Sequence, residues 1–225
     1  QVWRVFVDRE FTAKLRVIKK DADTKMTVLI PDTEFKIFNM DTNKYVEMIT
    51  TYPSKKVHTS FFTDADGDLI LPDVLPLGNY RIEEVAAPFG YVLNENYVEV
   101  KVDTDTFYEV DPDTYEAIIT VEYEDAPAVG ELVIEKKGEV LDAYKGGLFA
   151  DSEDKEFVYK EGSLAGAKFE IYAAEDIYTA DMQTDENGNR NKYYAEGDLV
   201  ATVVTGEDGK AKVSDLPLGK YRVVE

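Results

Sequence analysis

The sequence repeats itself, and this repeat constrains the fold more than any other feature does. Residues 75–84, with the pattern Leu-Pro-Leu-Gly-x-Tyr-Arg, recur at residues 216–225, an offset of 141 positions. Further upstream, segments 13–20 and 30–38 recur in the same order as segments 130–137 and 164–172. An ordered set of repeated segments is typical of tandem modules, in which insertions take up the differences in spacing.

The repeat predicts three parts of the chain. We expect residues 1–11 to be the terminal strand of an upstream module and residues 12–127 to be a complete module. Residues 128–225 are then a second copy, truncated at its C-terminal end. The second copy carries two polar, Tyr-bearing insertions, at 138–163 and 173–197, which we expect to be surface loops.

Each copy favours β-strands. Short stretches of alternating polar and apolar residues are separated by turns rich in Gly, Pro, Asp and Asn, and the chain holds 15 Tyr and 11 Phe. A module of about 115 residues with many short strands is typical of a β-sandwich. The predicted fold class is therefore all-β, with tandem antiparallel β-sandwiches.

Charge and composition exclude several functions. The formal net charge of −21 repels phosphate backbones and anionic lipid, so we expect no nucleic-acid partner and no membrane insertion in this segment. His58 is the only histidine and there is no cysteine, so little material exists for a metal centre or a catalytic triad. The Asp- and Gly-rich segments 64–68 and 185–189 are interpreted as tight turns, and no cofactor is predicted.

Ionisable residues follow the inward-facing register of three strands. Because alternate residues of a strand share a face, Lys19 lies on the face of Leu15 and Val17. Glu84 shares a face with Tyr80 and Ile82, and Asp125 shares one with Ile119, Val121 and Tyr123. Buried charges need partners, and a lysine with two carboxylates is a natural set. Glu122 and Glu124 fall on the opposite face of the last strand and are weaker candidates.

At these residues the sequence resembles the SpaA-like, Cna B-type (prealbumin-like, inverse Ig-like) domains of Gram-positive pilins and surface adhesins. The pattern Leu15-x-Val17-x-Lys19-x-Asp21 is similar to the first strand of that family. Residues 75–91, which end in Glu84-x-x-Ala87-Pro88-x-Gly90-Tyr91, are similar to its glutamate-bearing signature.

The resemblance implies an intramolecular isopeptide bond. Lys19 would be the nucleophile, Asp125 the acceptor and Glu84 the catalytic carboxyl, with loss of water because the acceptor is Asp and not Asn. Burial would favour the neutral forms that such a reaction needs. Each molecule would react once on itself, so the chain is not expected to be a turnover enzyme.

The second copy repeats part of this set. Lys136 and Glu225 match the lysine and the catalytic glutamate, and the acceptor residue is expected beyond Glu225. Asp8 stands 11 residues before Lys19, as Asp125 stands 11 before Lys136, so Asp8 is the expected acceptor of an upstream module.

The resemblance also implies a function and a location. We expect a structural stalk module of an extracellular, cell-wall-anchored protein or pilin, with neighbouring modules of the same chain as its partners. The alternative is an adhesin module that binds a host extracellular-matrix protein or glycan directly. An enzyme ranks third among these functions.

Overall fold

The computed structural model describes residues 10–145 and 156–225, and in these residues the chain is built from strands and turns. The chain divides into two units, of which the first comprises residues 1–128 and 179–191 and the second residues 129–178 and 192–225. The all-β prediction is confirmed. Residues 1–9 lie outside the described residues, so the predicted upstream strand and the acceptor role of Asp8 stay predictions, as do the module boundaries.

The first unit contains twelve strands in the described residues. They are β1 Thr12–Asp21, β2 Glu34–Asn39, β3 Lys44–Tyr45, β4 Met48–Thr50, β5 Lys56–His58, β6 Phe61–Phe62, β7 Asp68–Ile70, β8 Leu75–Pro76, β9 Gly78–Ala86, β10 Val98–Val102, β11 Glu109–Val110 and β12 Ala117–Asp125. One sheet has the order β11-β12-β1-β7, with β8 also on β1, and the other has the order β10-β9-β2-β3, with β6 also on β2. Strands β4 and β5 form a separate hairpin.

The core of the first unit lies between these two sheets. Strand β1 shows why: Ala13, Leu15, Val17, Lys19 and Asp21 are all buried, and the residues between them are half-buried. The aromatic rings of Phe35 on β2 and Tyr123 on β12 meet edge to face, with centroids 5.1 Å apart. Alternation along each strand therefore produces the sandwich that the sequence pattern predicts.

One strand pair departs from the antiparallel pattern. Strands β1 and β12 run parallel over nine residue pairs, from Ala13 opposite Ala117 to Asp21 opposite Asp125. Their C-terminal ends therefore lie together at one edge of the sheet. The other strand pairs of the described residues are antiparallel.

The second unit contains nine strands in the described residues. They are β13 Val129–Glu135, β14 Lys137–Lys145, β15 Glu156–Ser163, β16 Lys168–Ala173, β17 Ile177–Tyr178, β18 Lys192–Tyr194, β19 Leu199–Val204, β20 Lys210–Pro217 and β21 Tyr221–Val224. They form the sheets β13-β20, β14-β15, β19-β16-β21 and β17-β18.

The loop prediction for the two insertions is wrong in part. The described residues of the first insertion form the antiparallel pair β14–β15, in which Leu141 stands opposite Tyr159 and Tyr144 opposite Phe157. The second insertion contains β17 and β18 and, between them, residues 179–191, which belong to the first unit. There Asp181 is fully buried and accepts a hydrogen bond from the Thr24 hydroxyl at 2.7 Å.

The two Asp- and Gly-rich segments are tight turns, as predicted. In the first, the Asp64 carboxylate accepts hydrogen bonds from the backbone N–H groups of Asp66 and Asp68. Gly67 has a φ of 72°, and a Cβ there would collide with the Val28 carbonyl. The Gly67 carbonyl in turn accepts the backbone N–H of Lys19 at 2.9 Å, so this turn helps to position the lysine.

Candidate isopeptide site

Three strands bring one lysine and two carboxyl groups together inside the first unit. Lys19 on β1, Glu84 on β9 and Asp125 on β12 are 0%, 8% and 1% exposed. The Lys19 Nζ lies 2.5 Å from the Asp125 Oδ1 and 3.2 Å from the Glu84 Oε1. The three residues that the sequence assigns to the site thus share one buried contact.

The register of the strands explains this meeting. Because β1 and β12 run parallel, Lys19 stands opposite Tyr123, and Asp125 follows two residues later on the same inward face. The Lys19 Nζ lies 3.5 Å from the Tyr123 carbonyl oxygen and 4.7 Å from the centre of the Tyr123 ring. Glu84 reaches the same point from the opposite sheet.

Burial changes the protonation of Glu84. Desolvation is the largest effect and raises the pKa of Glu84 to about 7; the nearby Lys19 ammonium opposes this rise and the charge of Asp125 adds to it. Desolvation also raises the pKa of Tyr123 to about 12, so its phenol stays a neutral hydrogen-bond donor. At neutral pH a substantial fraction of Glu84 is therefore protonated.

Three of the four carboxyl oxygens of this site have only the Lys19 ammonium beside them when both acids are ionised. Among the described residues, Glu84 Oε1 and both oxygens of Asp125 are buried and, apart from the ion-pair contacts of Lys19, have no hydrogen-bond partner. A proton on Glu84 supplies a donor, and a hydrogen bond between the two acids also favours the protonated form of Glu84. Buried acceptors without donors are rare and costly, so the surroundings of Glu84 favour its protonated form.

The alternative acceptors lie outside this site. Glu124 pairs with Lys25 at 2.8 Å on the surface, and Glu122 pairs with Lys20 at 3.6 Å. The expectation that both acids occupy the opposite face of β12 is confirmed.

Residues 91–96, which we call the strap, surround the site with hydrogen bonds. The Asn94 N–H donates to Glu84 Oε2 at 3.1 Å, and its side-chain amide donates to the Glu124 carbonyl at 2.8 Å. The Tyr91 hydroxyl donates to Asp21 Oδ2 at 2.7 Å. Tyr91 and Asp21 belong to the sequence motifs, which assign them no role. Asn94 is not predicted from the sequence, since an isolated polar residue in a turn carries no distinctive pattern.

The second unit brings its matching pair together in a more open setting. Lys136 Nζ lies 2.6 Å from Glu225 Oε2, and the two side chains are 32% and 51% exposed. Among the described residues, β13 pairs only with β20, and no strand lies beside it as β12 lies beside β1. The predicted acceptor for this pair stays a prediction.

Other kinds of site have little support in the described ranges. No cluster of three or more His, Cys, Asp or Glu side chains there has a metal-binding arrangement. Nor do those ranges contain a helix of the length and apolarity that crossing a bilayer requires.

Comparison with known sequences identifies the family. The SpaA prealbumin-like fold domain matches residues 13–115 and 155–225, which is most of the chain. The chain therefore belongs to this family, and the resemblance inferred from its motifs is confirmed. No curated protein sequence matches it significantly.

Several solved structures are similar to the chain. The Bacillus anthracis TIE protein is 25% identical over 95% of this chain, with a TM-score of 0.47. A streptococcal ancillary pilin is 22% identical over 94%, with a TM-score of 0.38, and domains D2 and D3 of the major pilin SpaD from Corynebacterium diphtheriae are 19% identical over 52%, with a TM-score of 0.39. The chain covers 28%, 52% and 47% of these three structures, respectively, and so spans about half of them or less.

Proposed function

We propose that this chain is a stalk segment of a Gram-positive surface protein or pilin, stiffened by an isopeptide bond between Lys19 and Asp125. The observation that carries the proposal is the buried contact of Lys19, Glu84 and Asp125. Membership of the SpaA family supports an extracellular, wall-anchored location and association with neighbouring modules of the same chain.

The reaction is a condensation that Glu84 assists. Transfer of one proton from the Lys19 ammonium to the Asp125 carboxylate makes both groups neutral. The lone pair on Nζ then forms a bond to Cγ of Asp125, while protonated Glu84 hydrogen-bonds the carbonyl oxygen and stabilises its developing charge. Glu84 takes a proton from the nitrogen and returns one to the departing hydroxyl, so an amide and one water form and Glu84 ends as it began.

The packed site supplies what this reaction needs. Folding holds the amine against the carboxyl group, and such proximity can lower a barrier by about 7–11 kcal/mol. Condensation also removes one of the two Asp125 oxygens that are buried without a donor. The product therefore contains one buried acceptor oxygen fewer than the unreacted site.

The parallel pairing of β1 and β12 gives the bond a mechanical role. The two strands leave the module at opposite ends, because β1 begins at Thr12 and β12 ends at Asp125, beside the C-terminal end of β1. A pulling force passes along β1 to Lys19, crosses the amide and leaves at Asp125. The 105 residues between Lys19 and Asp125 then carry no load.

Single-molecule pulling on the full chain tests this function. Without the bond, unfolding of the first unit releases the segment from Lys19 to Asp125, about 350–380 Å of extended chain. We expect the variant Asp125→Ala to show this extension and the parent chain not to show it. The same extension in the parent chain would rule out a load-bearing crosslink.

A second candidate function is direct adhesion to a host extracellular-matrix protein or glycan. The β14–β15 hairpin supports it, because Tyr144, Phe157 and Tyr159 are each about half exposed there. The rings of Tyr144 and Phe157 also contact each other at 5.2 Å. Exposed aromatic clusters are enriched at binding surfaces. Saturable binding to matrix proteins or glycan arrays, lost in a Tyr144→Ser/Phe157→Ser variant, is the result expected of an adhesin; absence of saturable binding would exclude it.

A further inference from the structure

The strap contacts every strand that carries a residue of the site. Through Tyr91 it bonds Asp21, which lies two residues beyond Lys19 on the same buried face of β1. Through Asn94 it bonds the side chain of Glu84 on β9. The remaining contacts of the strap fix the end of β12.

Hydrogen bonds to consecutive backbone carbonyls fix the end of β12. The Glu124 carbonyl accepts the Asn94 side-chain amide, and the Ala126 carbonyl accepts the Val92 N–H at 3.0 Å. Between them, the Asp125 carbonyl accepts the N–H of Ala22, which directly follows β1, at 2.8 Å. Three consecutive carbonyls around the acceptor residue are thus engaged, two of them by the strap.

Tyr123 contacts both the strap and the site. Its hydroxyl donates to the Asn94 carbonyl at 3.1 Å and also contacts the Asn96 carbonyl, while its ring lies beside the Lys19 Nζ. A turn leads into the strap, and in this turn the Pro88 carbonyl accepts the Tyr91 N–H. Within the residues that the structure describes, the strap forms no strand, and Tyr91 forms an isolated bridge with Pro127.

These contacts have a consequence for Glu84. A carboxyl group can rotate, and only one of its oxygens faces Lys19 and Asp125. Because the Asn94 N–H occupies Oε2, Oε1 is the oxygen that points towards the amine, at 3.2 Å. Placing a catalytic group in its reactive orientation is worth large rate factors, and a misplacement of about 1 Å can cost about a hundredfold.

We propose that the strap positions the isopeptide reaction, with Tyr91, Asn94 and Tyr123 as its positioning residues. The proposal rests on the proposed function, since it assigns these residues a part in the Lys19–Asp125 condensation. The strap orients Glu84 and fixes the Asp125 backbone, so the reaction proceeds only after the strap has docked.

The rate of crosslinking in the full chain tests this role. Protein made in a short cell-free pulse is chased at fixed pH, quenched in denaturant, and its intact mass is read for the loss of one water. We expect Asn94→Ala to slow this loss by about ten- to a hundredfold and Tyr91→Phe by about tenfold. The matched control is Tyr80→Phe, which removes another buried tyrosine hydroxyl bond, to the Pro76 carbonyl at 2.9 Å, at the far end of β9; it should react at the parent rate.

The pH profile separates positioning from general stability. The groups facing Glu84 are Lys19 from β1, Asp125 and Tyr123 from β12, and the Asn94 N–H from the strap, which favours the ionised acid. Asn94→Ala keeps the backbone N–H that donates to Glu84 but removes the side-chain bond that anchors this residue to the Glu124 carbonyl. We expect the less firmly held N–H to bond Glu84 less well, so the fall in rate at alkaline pH should begin at a higher pH than in the parent. A purely structural loss would lower the rate equally at every pH.

Each outcome decides a different point. A parent chain that loses water, with Tyr91→Phe and Asn94→Ala reacting at the parent rate and with an unchanged pH profile, overturns the role of the strap alone. A parent chain that never loses water overturns the proposed function and this role with it. If Asn94→Ala does not fold, Tyr91→Phe decides the question, because it removes one oxygen atom and keeps the ring packed.

Discussion

In the first unit the side chains of Lys19 and Glu84 are fully buried beside Asp125, whereas in the second unit the matching Lys136 and Glu225 are about one-third and one-half exposed. The local motifs are nearly the same in both units. The difference lies in the strand beside the lysine strand: β12 covers β1, and among the described residues β13 has only β20. Covering by a neighbouring strand, and not the motif alone, buries the lysine and the glutamate.

The same comparison explains the raised pKa of Glu84. Burial raises the pKa of Glu84 because water can no longer solvate its charge. Lys136 and Glu225 form an ordinary ion pair at 2.6 Å with solvent nearby, and such pairs contribute little free energy.

The largest expected difference between the units is in stability. The variant Lys19→Met removes the crosslink and should lower the free energy of unfolding of the first unit by about 4–5 kcal/mol, the loop-entropy value for a closed loop of this size. Lys136→Met, the matched control, should change the free energy by about 0–1 kcal/mol. Pulse proteolysis in increasing urea, with peptide mapping to assign each cleavage to its unit, measures both. Equal losses in the two variants would contradict the comparison.

A second expected difference is in pH dependence. Crosslinking needs protonated Glu84, while the transfer of a proton from Lys19 to Asp125 changes no net charge. The rate should therefore be constant below about pH 7 and fall as the pH rises through the Glu84 pKa of about 7. Pulse-chase mass spectrometry between pH 5 and about pH 9 measures it; a rate that rises with pH would instead assign control to deprotonation of the lysine.

The raised pKa of Glu84 also makes the stability of the unreacted chain depend on pH. The pKa of Glu84 is higher in the folded state than the ordinary value of 4.5, so the folded state binds more protons. The stabilisation that Glu84 contributes is then fully present below about pH 4.5 and is lost as the pH rises to about 7. The variant Asp125→Ala, which cannot form the bond and from which the Asp125 charge is absent, should show the same trend with a smaller amplitude in pH-dependent thermal unfolding.

The smallest expected effect concerns the exposed pair. Glu225→Gln should change the stability of the second unit by less than about 1 kcal/mol, and high salt should remove most of that change because exposed charges are screened. Thermal unfolding at low and high salt measures it. A loss of several kcal/mol that salt does not affect would mean that this pair is buried in the functioning protein.

Much of the site follows from the period of the strands. The alternation of Leu15, Val17 and Lys19 predicts an inward-facing lysine, and β1 has that burial pattern. The same argument places Glu84 and Asp125 on buried faces, as β9 and β12 show. The alternation of buried and exposed side chains depends only on neighbouring residues in the chain, so it can be predicted from the sequence alone.

Other features depend on long-range pairing that local patterns do not encode. The parallel direction of β1 and β12 joins segments about 100 residues apart, and alternation looks the same in either direction. The roles of Tyr91 and Asn94 depend on where a turn docks after folding. The β14–β15 pairing within an insertion is not predicted for a similar reason: polar, mostly exposed strands resemble loops in sequence.

The central claim, a covalent bond between Lys19 and Asp125, is tested most directly by the intact mass of the denatured chain. The parent should be lighter than its sequence predicts by one water, while Lys19→Ala and Glu84→Ala should have their full expected masses. Loss of ammonia in place of water would contradict the assignment of Asp125 as the acceptor. A full-mass parent would contradict the bond itself.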